Sequence, residues 1–273
     1  MKVVLFCGGY GMRMRDGVTD APKPMVRIGA RPLIWHVMKY YAHFGHRDFV
    51  LCLGYGAEHI KRFFLEYDET YSNDFVLSHG GREVELLSTD LDDWRITFVD
   101  TGLNSPIGER LRRVRHLVAD EEVFLANYAD VLTDAPLPAM IDRLVASDAV
   151  ASMIAVPPQS AFHTLEVADD DRVTGVRSVN TLPLWENGGY FVLRQGIFDV
   201  VPENGDLVED GCGTLAARGQ LLAYPYRGFW QPADTVKERA LLEEAWASGH
   251  RPWMVWGDRG DVPRVSFDGA APR

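Results

Sequence analysis

The chain has 273 residues, with 28 lysines and arginines against 39 aspartates and glutamates, a formal charge of −11 at pH 7. Hydrophobic residues make up 47% and charged ones 25%, a globular composition that argues against disordered, collagen-like and coiled-coil architectures. The acidic balance speaks against nucleic-acid binding, which wants a positive field, but a metal ion can still supply local charge for phosphate ligands.

The first apolar run, residues 3–7, reads as a short strand ending in Gly8-Gly9. It is too short for a signal-peptide core or a membrane span, so no membrane association is expected. Residues 32–44 carry a helical apolar rhythm, with Pro32 suited to the first turn and Gly45 to the end. A second strand at 49–53 and a helix at 57–67 follow. Strands at 95–100 and 123–127 flank a basic helix near 109–117. Such alternation predicts an α/β fold with a largely parallel sheet. The second half reads as richer in strands, at 150–156, 165–168, 173–178 and 189–193, with one long helix at 235–249. We expect one domain over 1–257, with a nucleotide-type half at about 1–134, an acceptor half at about 135–257, and a loose polar tail at 258–273. Cys7, Cys52 and Cys212 make no disulfide framework, which points to a reduced, cytoplasmic setting.

Chemistry first shows in Phe6-Cys7-Gly8-Gly9-Tyr10-Gly11-Met12-Arg13, a strand running into three glycines and an arginine. Glycines let backbone N–H groups converge on an anion, but a tight turn alone explains them equally well. No Gly-Lys-Ser/Thr follows, and Met14 stands where a dinucleotide fingerprint needs its third glycine. Lys23 lies between Pro22 and Pro24, which restrict its backbone. Asp130 follows a strand and Asp234 precedes the last helix; as isolated residues they read equally well as a turn residue and an N-cap.

Together, the glycine loop, Arg13 and Pro22-Lys23-Pro24 resemble the signature of sugar-1-phosphate nucleotidylyltransferases, most of all the glucose-1-phosphate cytidylyltransferases. Further matching segments are Trp35-His36, Gly54-Tyr55, Val99-Asp100-Thr101-Gly102, Arg110-Leu111, Asn187 to Leu193, and Gly228 to Thr235. The resemblance implies a Rossmann-like, mixed but mainly parallel sheet flanked by helices. It also implies Mg²⁺-dependent transfer of a nucleoside monophosphate, with CTP favoured, to a sugar 1-phosphate or related phosphorylated acceptor, and a homo-oligomer. Arg13 and Lys23 would be the catalytic cations. Phe6, Gly8, Gly9, Gly11, Met12, Ser105, Arg110 and Asp130 would join them around the nucleotide. Asp130 and Asp234 would hold the metal, and His163, Thr164, Arg177, Glu186, Asn187 and Gly188 the acceptor. The eight histidines show no paired spacing of the zinc type.

The chain departs from that pattern at Met12 (usually threonine), Ala129 and Glu109 (usually glycines), and Phe162 to Leu165 (usually a Gly-Ala pair). It departs most between residues 179 and 187, where Leu182-Pro183-Leu184-Trp185 replaces a Glu-Lys-Pro element whose lysine meets the sugar phosphate. We therefore expect a more apolar acceptor wall, glucose 1-phosphate as a poor acceptor, and Arg177 or His163 in the missing lysine's place. The alternatives are a non-catalytic nucleotide-binding regulator and a dinucleotide-dependent oxidoreductase.

Overall fold

The computed structural model describes residues 1–9, 21–159 and 162–257. Seven strands form its main sheet: β1 Lys2–Phe6, β2 Asp48–Leu53, β3 Arg95–Asp100, β4 Val123–Tyr128, β5 Ala151–Val156, β6 Glu186–Arg194 and β7 Leu221–Pro225. Their order is β7–β5–β6–β4–β1–β2–β3. β6 runs antiparallel to β4 and β5, and the other neighbours are parallel. The mainly parallel α/β fold is therefore present, and both halves of the sequence supply strands to one sheet.

Strand β1 shows why the sheet is covered on both sides. Val3 and Leu5 point into one apolar cluster, Val4 and Phe6 into another, and all are buried. A run apolar at every position is what a strand buried on both faces requires. Helices α1 Leu33–His43, α2 Ala57–Leu65, α4 Leu137–Val145 and α6 Val236–Ser248 feed the first cluster through Leu33, Ile60, Met140 and Leu242. The opposite cluster takes Leu111 from α3 Ile107–Arg113, and Leu207, Cys212 and Leu215 from a π-helical turn that runs into α5 Gly213–Ala217.

Several expectations need correction. The second half is not poor in helix: α4 carries Leu137, Met140, Ile141 and Leu144 at helical spacing, a signal the sequence offers, while the 207–217 stretch has little period and becomes helical by packing on the sheet. The basic helix starts at Ile107, after Pro106, and gives way at Val114 to a 3₁₀ turn, Arg115–Leu117. β6 begins three residues earlier than its apolar run, and β7 was not anticipated. Two ribbons, Phe75–Ser78 with Glu83–Leu86 and His163–Val167 with Val173–Ser178, stand outside the main sheet. The tail beyond 257, expected to be loose, lies outside the described residues. Among those that are described, no helix is long and apolar enough to cross a membrane.

His36 illustrates how the family-like segments serve the core. Its Nε2–H donates to the Ile28 carbonyl at 3.1 Å, and its Nδ1 accepts from the Trp253 indole at 3.4 Å. Trp35, Trp246, Trp253 and Trp256 surround the ring. Burial pushes its pKa down from 6.5 to about 4. The unfolded chain therefore takes up this proton first as pH falls. The stability is complete above pH 6.5 and is lost between there and pH 4, by about 3 kcal/mol. Urea unfolding of the parent and of His36→Phe, each at pH 7 and pH 4.5, should differ in pH slope by this amount, because the other titrating groups are common to both. An unchanged pH slope in the variant would reject the assignment.

Candidate active site

The site lies at the carboxyl ends of β1 and β4, where ligands collect in open parallel sheets. β4 ends at Tyr128, and the chain turns through Ala129-Asp130 into a short strand, Val131–Thr133. That strand pairs antiparallel with Trp230–Pro232, with Val131 opposite Pro232. The Ala233 amide then donates to the Asp130 carbonyl at 3.0 Å. This pairing carries Asp234 back beside Asp130 across a hundred residues of sequence.

Asp234 does not cap the last helix. Thr235 does, accepting from the Glu238 amide at 3.2 Å, while the Glu238 carboxylate accepts from the Asp234 and Thr235 amides at 2.8 Å each. This capping box satisfies the helix start and leaves the Asp234 carboxylate free for other work. That carboxylate accepts from Lys23 Nζ at 2.6 Å, and the same ammonium lies 3.6 Å from Asp130. The flanking prolines hold Lys23 in a 3₁₀ turn, Lys23–Met25, closed by the Met25 amide on the Pro22 carbonyl at 2.8 Å. Burial, and then the neighbouring Asp234 carboxylate, push the Asp130 pKa up from 3.8 to about 6, with Lys23 pulling the other way.

A cavity of about 490 Å³ opens over this triad. Phe6, Gly8, Gly9, Lys23, Asp130 and Asp234 line it, and β6 contributes Glu186, Asn187 and Gly188 on the far side. The structure thus gathers these sequence-nominated residues around one space. It also places Tyr128, Gln159, Trp230 and Glu238 there, which the sequence reading missed. Trp230 lay inside the matching Gly228 to Thr235 segment, so a signal was present. Its indole N–H donates to the Gly188 carbonyl at 2.8 Å, and Gln159 donates to the Trp230 carbonyl at 2.7 Å. Asn187 fixes the other edge, donating to Tyr128 Oη at 3.3 Å and accepting from the Gly189 amide at 2.9 Å.

The other nominated residues that the structure describes do not line this wall. Gly11, Met12 and Arg13 lie outside the described residues. Ser105 packs against Gly102, away from the cavity. Arg110 is buried beneath the glycine turn. Its guanidinium donates to the carbonyls of Leu53 at 3.0 Å and Leu103 at 3.2 Å, and to Thr101 Oγ1 at 2.8 Å. Its place is thus under Gly8, not on the cavity surface. His163, Thr164 and Arg177 sit on an exposed ribbon, where Arg177 pairs with Glu166 at 2.9 Å and Thr164 Oγ1 donates to the Arg177 carbonyl. Neither Arg177 nor His163 therefore replaces the missing lysine at the wall. Leu182, Leu184 and Trp185 do not line the cavity either, and Leu184 and Trp185 are exposed. The expected apolar acceptor wall is not formed by that loop, because β6 starts at Glu186 and turns a polar edge inward.

Arg110 explains why residue 8 is glycine. A Cβ there would stand 2.2 Å from Arg110 Nη1, and three hydrogen bonds hold that guanidinium in place. Gly8→Ala is expected to cost about 1–3 kcal/mol through this overlap. Shortening the neighbour in a Gly8→Ala/Arg110→Gln double variant should recover part of the loss. Thermal melting measures both, and an undisturbed Gly8→Ala would refute the contact.

The donor set suits one hard divalent cation. Among the described residues no group of three or more His, Cys, Asp or Glu side chains gathers for a metal. Asp130 and Asp234 offer two carboxylates that share one ammonium, which offsets half of their charge. Two carboxylates completed by phosphate oxygens and water match the way Mg²⁺ is held.

No family profile matches the chain. The glucose-1-phosphate cytidylyltransferase of Salmonella typhimurium is 36% identical over 94% of this chain and the whole of its own length. A mannose-1-phosphate guanyltransferase of Yarrowia lipolytica is 25% identical over 88% of this chain and 64% of its own. Among solved structures, a UDP-glucose pyrophosphorylase complexed with UDP-glucose superposes with a TM-score of 0.65 at 15% identity, covering 91% of this chain and 98% of that one. The UTP-bound UGPase of Acinetobacter baumannii gives 0.64 at 18% identity, covering 91% and 94%. At such identities the structures establish the fold, while the Salmonella relative, matched along its full length, establishes the kinship: this chain belongs to the sugar-1-phosphate nucleotidylyltransferase family and is an enzyme of the glucose-1-phosphate cytidylyltransferase kind.

Proposed function

We propose that the enzyme moves a cytidylyl group from CTP to a hexose 1-phosphate and releases pyrophosphate, with Mg²⁺ as its metal. The observation that carries this reading is Lys23 set between Asp130 and Asp234 beside the glycine turn. The 36% identity with a cytidylyltransferase supports cytosine as the base and glucose 1-phosphate as the first acceptor to test.

The chemistry asks little of the protein beyond placement and charge. A phosphate monoester has a second pKa near 6, so the attacking oxygen is already largely ionised at neutral pH. No general base is needed to make it a nucleophile. Cys7 lines the cavity, but burial pushes its pKa well up, so it stays a thiol and offers no rival nucleophile. In this reading Gly8 and Gly9 let the triphosphate approach the backbone. Arg110, with carbonyl and hydroxyl partners and no carboxylate among the described residues, adds a fixed positive charge beneath them. Lys23 turns from the carboxylates toward the α-phosphate as the substrates enter. Asp130 and Asp234 would hold the divalent cation, which supplies neutralisation of the phosphate charges. Asn187, Glu186 and the Gly188 edge face the acceptor with polar groups suited to sugar hydroxyls.

Pyrophosphate release tests this with CTP, UTP, dTTP, ATP and GTP, each paired with the 1-phosphates of glucose, galactose and mannose in Mg²⁺ buffer. CTP with one hexose 1-phosphate should give the highest kcat/KM. A tenfold preference for another triphosphate would overturn the assignment of the base, and release with none of the pairs would overturn the transfer reaction.

A further inference from the structure

We propose that Arg227, stacked on Trp185, pairs with the phosphate of the acceptor and so sets acceptor affinity. The inference rests on the transfer reaction proposed above.

The need arises from the charge of the cavity wall. Among the described lining residues Lys23 is the one cation, facing the carboxylates of Asp130, Glu186, Asp234 and Glu238. Two phosphorylated substrates must enter together, and Lys23 is already shared between two carboxylates. A phosphate dianion brought against the Glu186 to Gly188 edge meets the Glu186 carboxylate and, among the described residues, no cation on that edge. Either it stays unpaired at a heavy desolvation cost, or a cation from the rim reaches it.

The register of the sheet puts Arg227 on that rim. Pro225 of β7 pairs with Ala155 of β5, and Ala155 pairs with Asn187 of β6. The Tyr226 amide donates to the Ala155 carbonyl at 2.8 Å, so the chain leaves β7 at the end of the sheet where β6 begins. Trp230, three residues after Arg227, lines the cavity and donates to the Gly188 carbonyl. Trp185 stands immediately before Glu186, and the Arg227 guanidinium lies 4.8 Å from the centre of its ring. Arg227 thus lies three positions before the wall residue Trp230 and touches Trp185, the neighbour of the wall residue Glu186.

Its partners leave it available. Arg177 is committed to Glu166 and Arg172 to Asp170. Arg194 is committed to the carbonyls of Leu144, Ser147 and Ala149. Arg227 has a ring partner and no carboxylate partner among the described residues. Stacking holds the plane of a guanidinium while leaving its edge of N–H donors open, the geometry that meets phosphate in a bidentate way. Tyr226, the preceding residue, is tied to Asp134 through its hydroxyl, which anchors the base of the turn. Trp185 is 43% exposed, a large aromatic surface that the guanidinium partly covers. We assign to it the task of aiming Arg227, as a positioning residue.

Steady-state kinetics of Arg227→Gln, Arg227→Lys and Trp185→Ala with CTP and glucose 1-phosphate tests this, with each substrate varied in turn. Arg227→Gln should raise the KM for the sugar phosphate at least tenfold and leave the KM for CTP within twofold. Arg227→Lys should restore part of the affinity through its charge, and Trp185→Ala should raise the acceptor KM by a smaller factor. Arg227 is exposed, so circular dichroism should show an unaltered fold. An acceptor KM unchanged in Arg227→Gln, or a rise equal for both substrates, overturns the proposal. If the parent enzyme itself releases no pyrophosphate with any pair in the panel above, the transfer reading has failed, a result distinct from failure of the Arg227 variants alone.

Discussion

Asp130→Ala and Asp234→Ala should each lower turnover by about two to three orders of magnitude, the scale of removing one preorganised electrostatic contact from a transition state. The two variants should nevertheless melt close to the parent. Asp234 gives the helix nothing at its start, because Thr235 and Glu238 do the capping. Asp130 is a cost to the metal-free fold: its folded pKa is raised to about 6, against 3.8 for the unfolded chain, mainly by burial and then by Asp234. The folded state therefore binds the proton more readily than the unfolded one. The metal-free protein loses stability as pH rises from about 4 to 6, and the penalty is complete above that. Asp130→Asn removes the penalty, so this variant should be at least as stable as the parent at pH 7 and yet inactive. Melting curves with kinetics decide the matter. Turnover within tenfold of the parent in Asp234→Ala would reject its role in holding the metal, and a sharp loss of stability there would return it to a structural part.

This opposition between stability and use also shows which parts of the site could be read from sequence. Strands β1, β2 and β4 announce themselves because a strand buried on both faces must be apolar throughout, and Lys23 because two prolines frame it. Asp130 and Asp234 were legible only as members of a matching pattern. Alone, each has the look of a turn or cap, and the capping box that frees Asp234 depends on Glu238 reaching back. What brought them together, the pairing of Val131–Thr133 with Trp230–Pro232, is a contact between three-residue strands too short to leave a period. Arg110 shows the reverse. Its position was picked out, but that its charge lies beneath Gly8 follows from the carbonyls of Leu53 and Leu103, and backbone acceptors leave no trace in side-chain identity. The ribbon His163–Val167 with Val173–Ser178 misled for a related reason. Strand propensity locates both strands but says nothing of their distance from the cavity, which Glu186, Asn187 and Gly188 of β6 line and Arg177 and His163 do not. Arg227 went unnoticed because its partner is a ring forty-two residues away, in the segment that departs most from the family pattern.

Lys23→Met should separate the two duties of the ammonium. In the metal-free chain it neutralises Asp234 at 2.6 Å and Asp130 at 3.6 Å, with about a fifth of its own side chain exposed. Methionine keeps the length of the side chain and removes its charge, leaving two carboxylates facing each other. The variant should lose about 1–3 kcal/mol in metal-free buffer, less than a fully buried pair would, because Asp234 remains partly solvated. Mg²⁺ should restore that loss. Wild-type protein should respond weakly to Mg²⁺ without nucleotide, because Lys23 already occupies the space between the carboxylates. On the proposed reading the lysine would serve as counter-ion to the two carboxylates until a triphosphate draws the ammonium to itself and the metal takes its place. Catalysis should suffer separately. A charge-assisted contact to the α-phosphate is worth about 1.5–3 kcal/mol, so turnover should fall by at least tenfold even with saturating Mg²⁺. Melting in chelator and in Mg²⁺, Mn²⁺ binding followed by electron paramagnetic resonance, and kinetics with CTP together test the account. If Lys23→Met gains no stability from Mg²⁺ beyond that of the parent, and binds Mn²⁺ alone no better, the counter-ion role is wrong. If its turnover with CTP is also unchanged, the lysine has no part in the reaction at all.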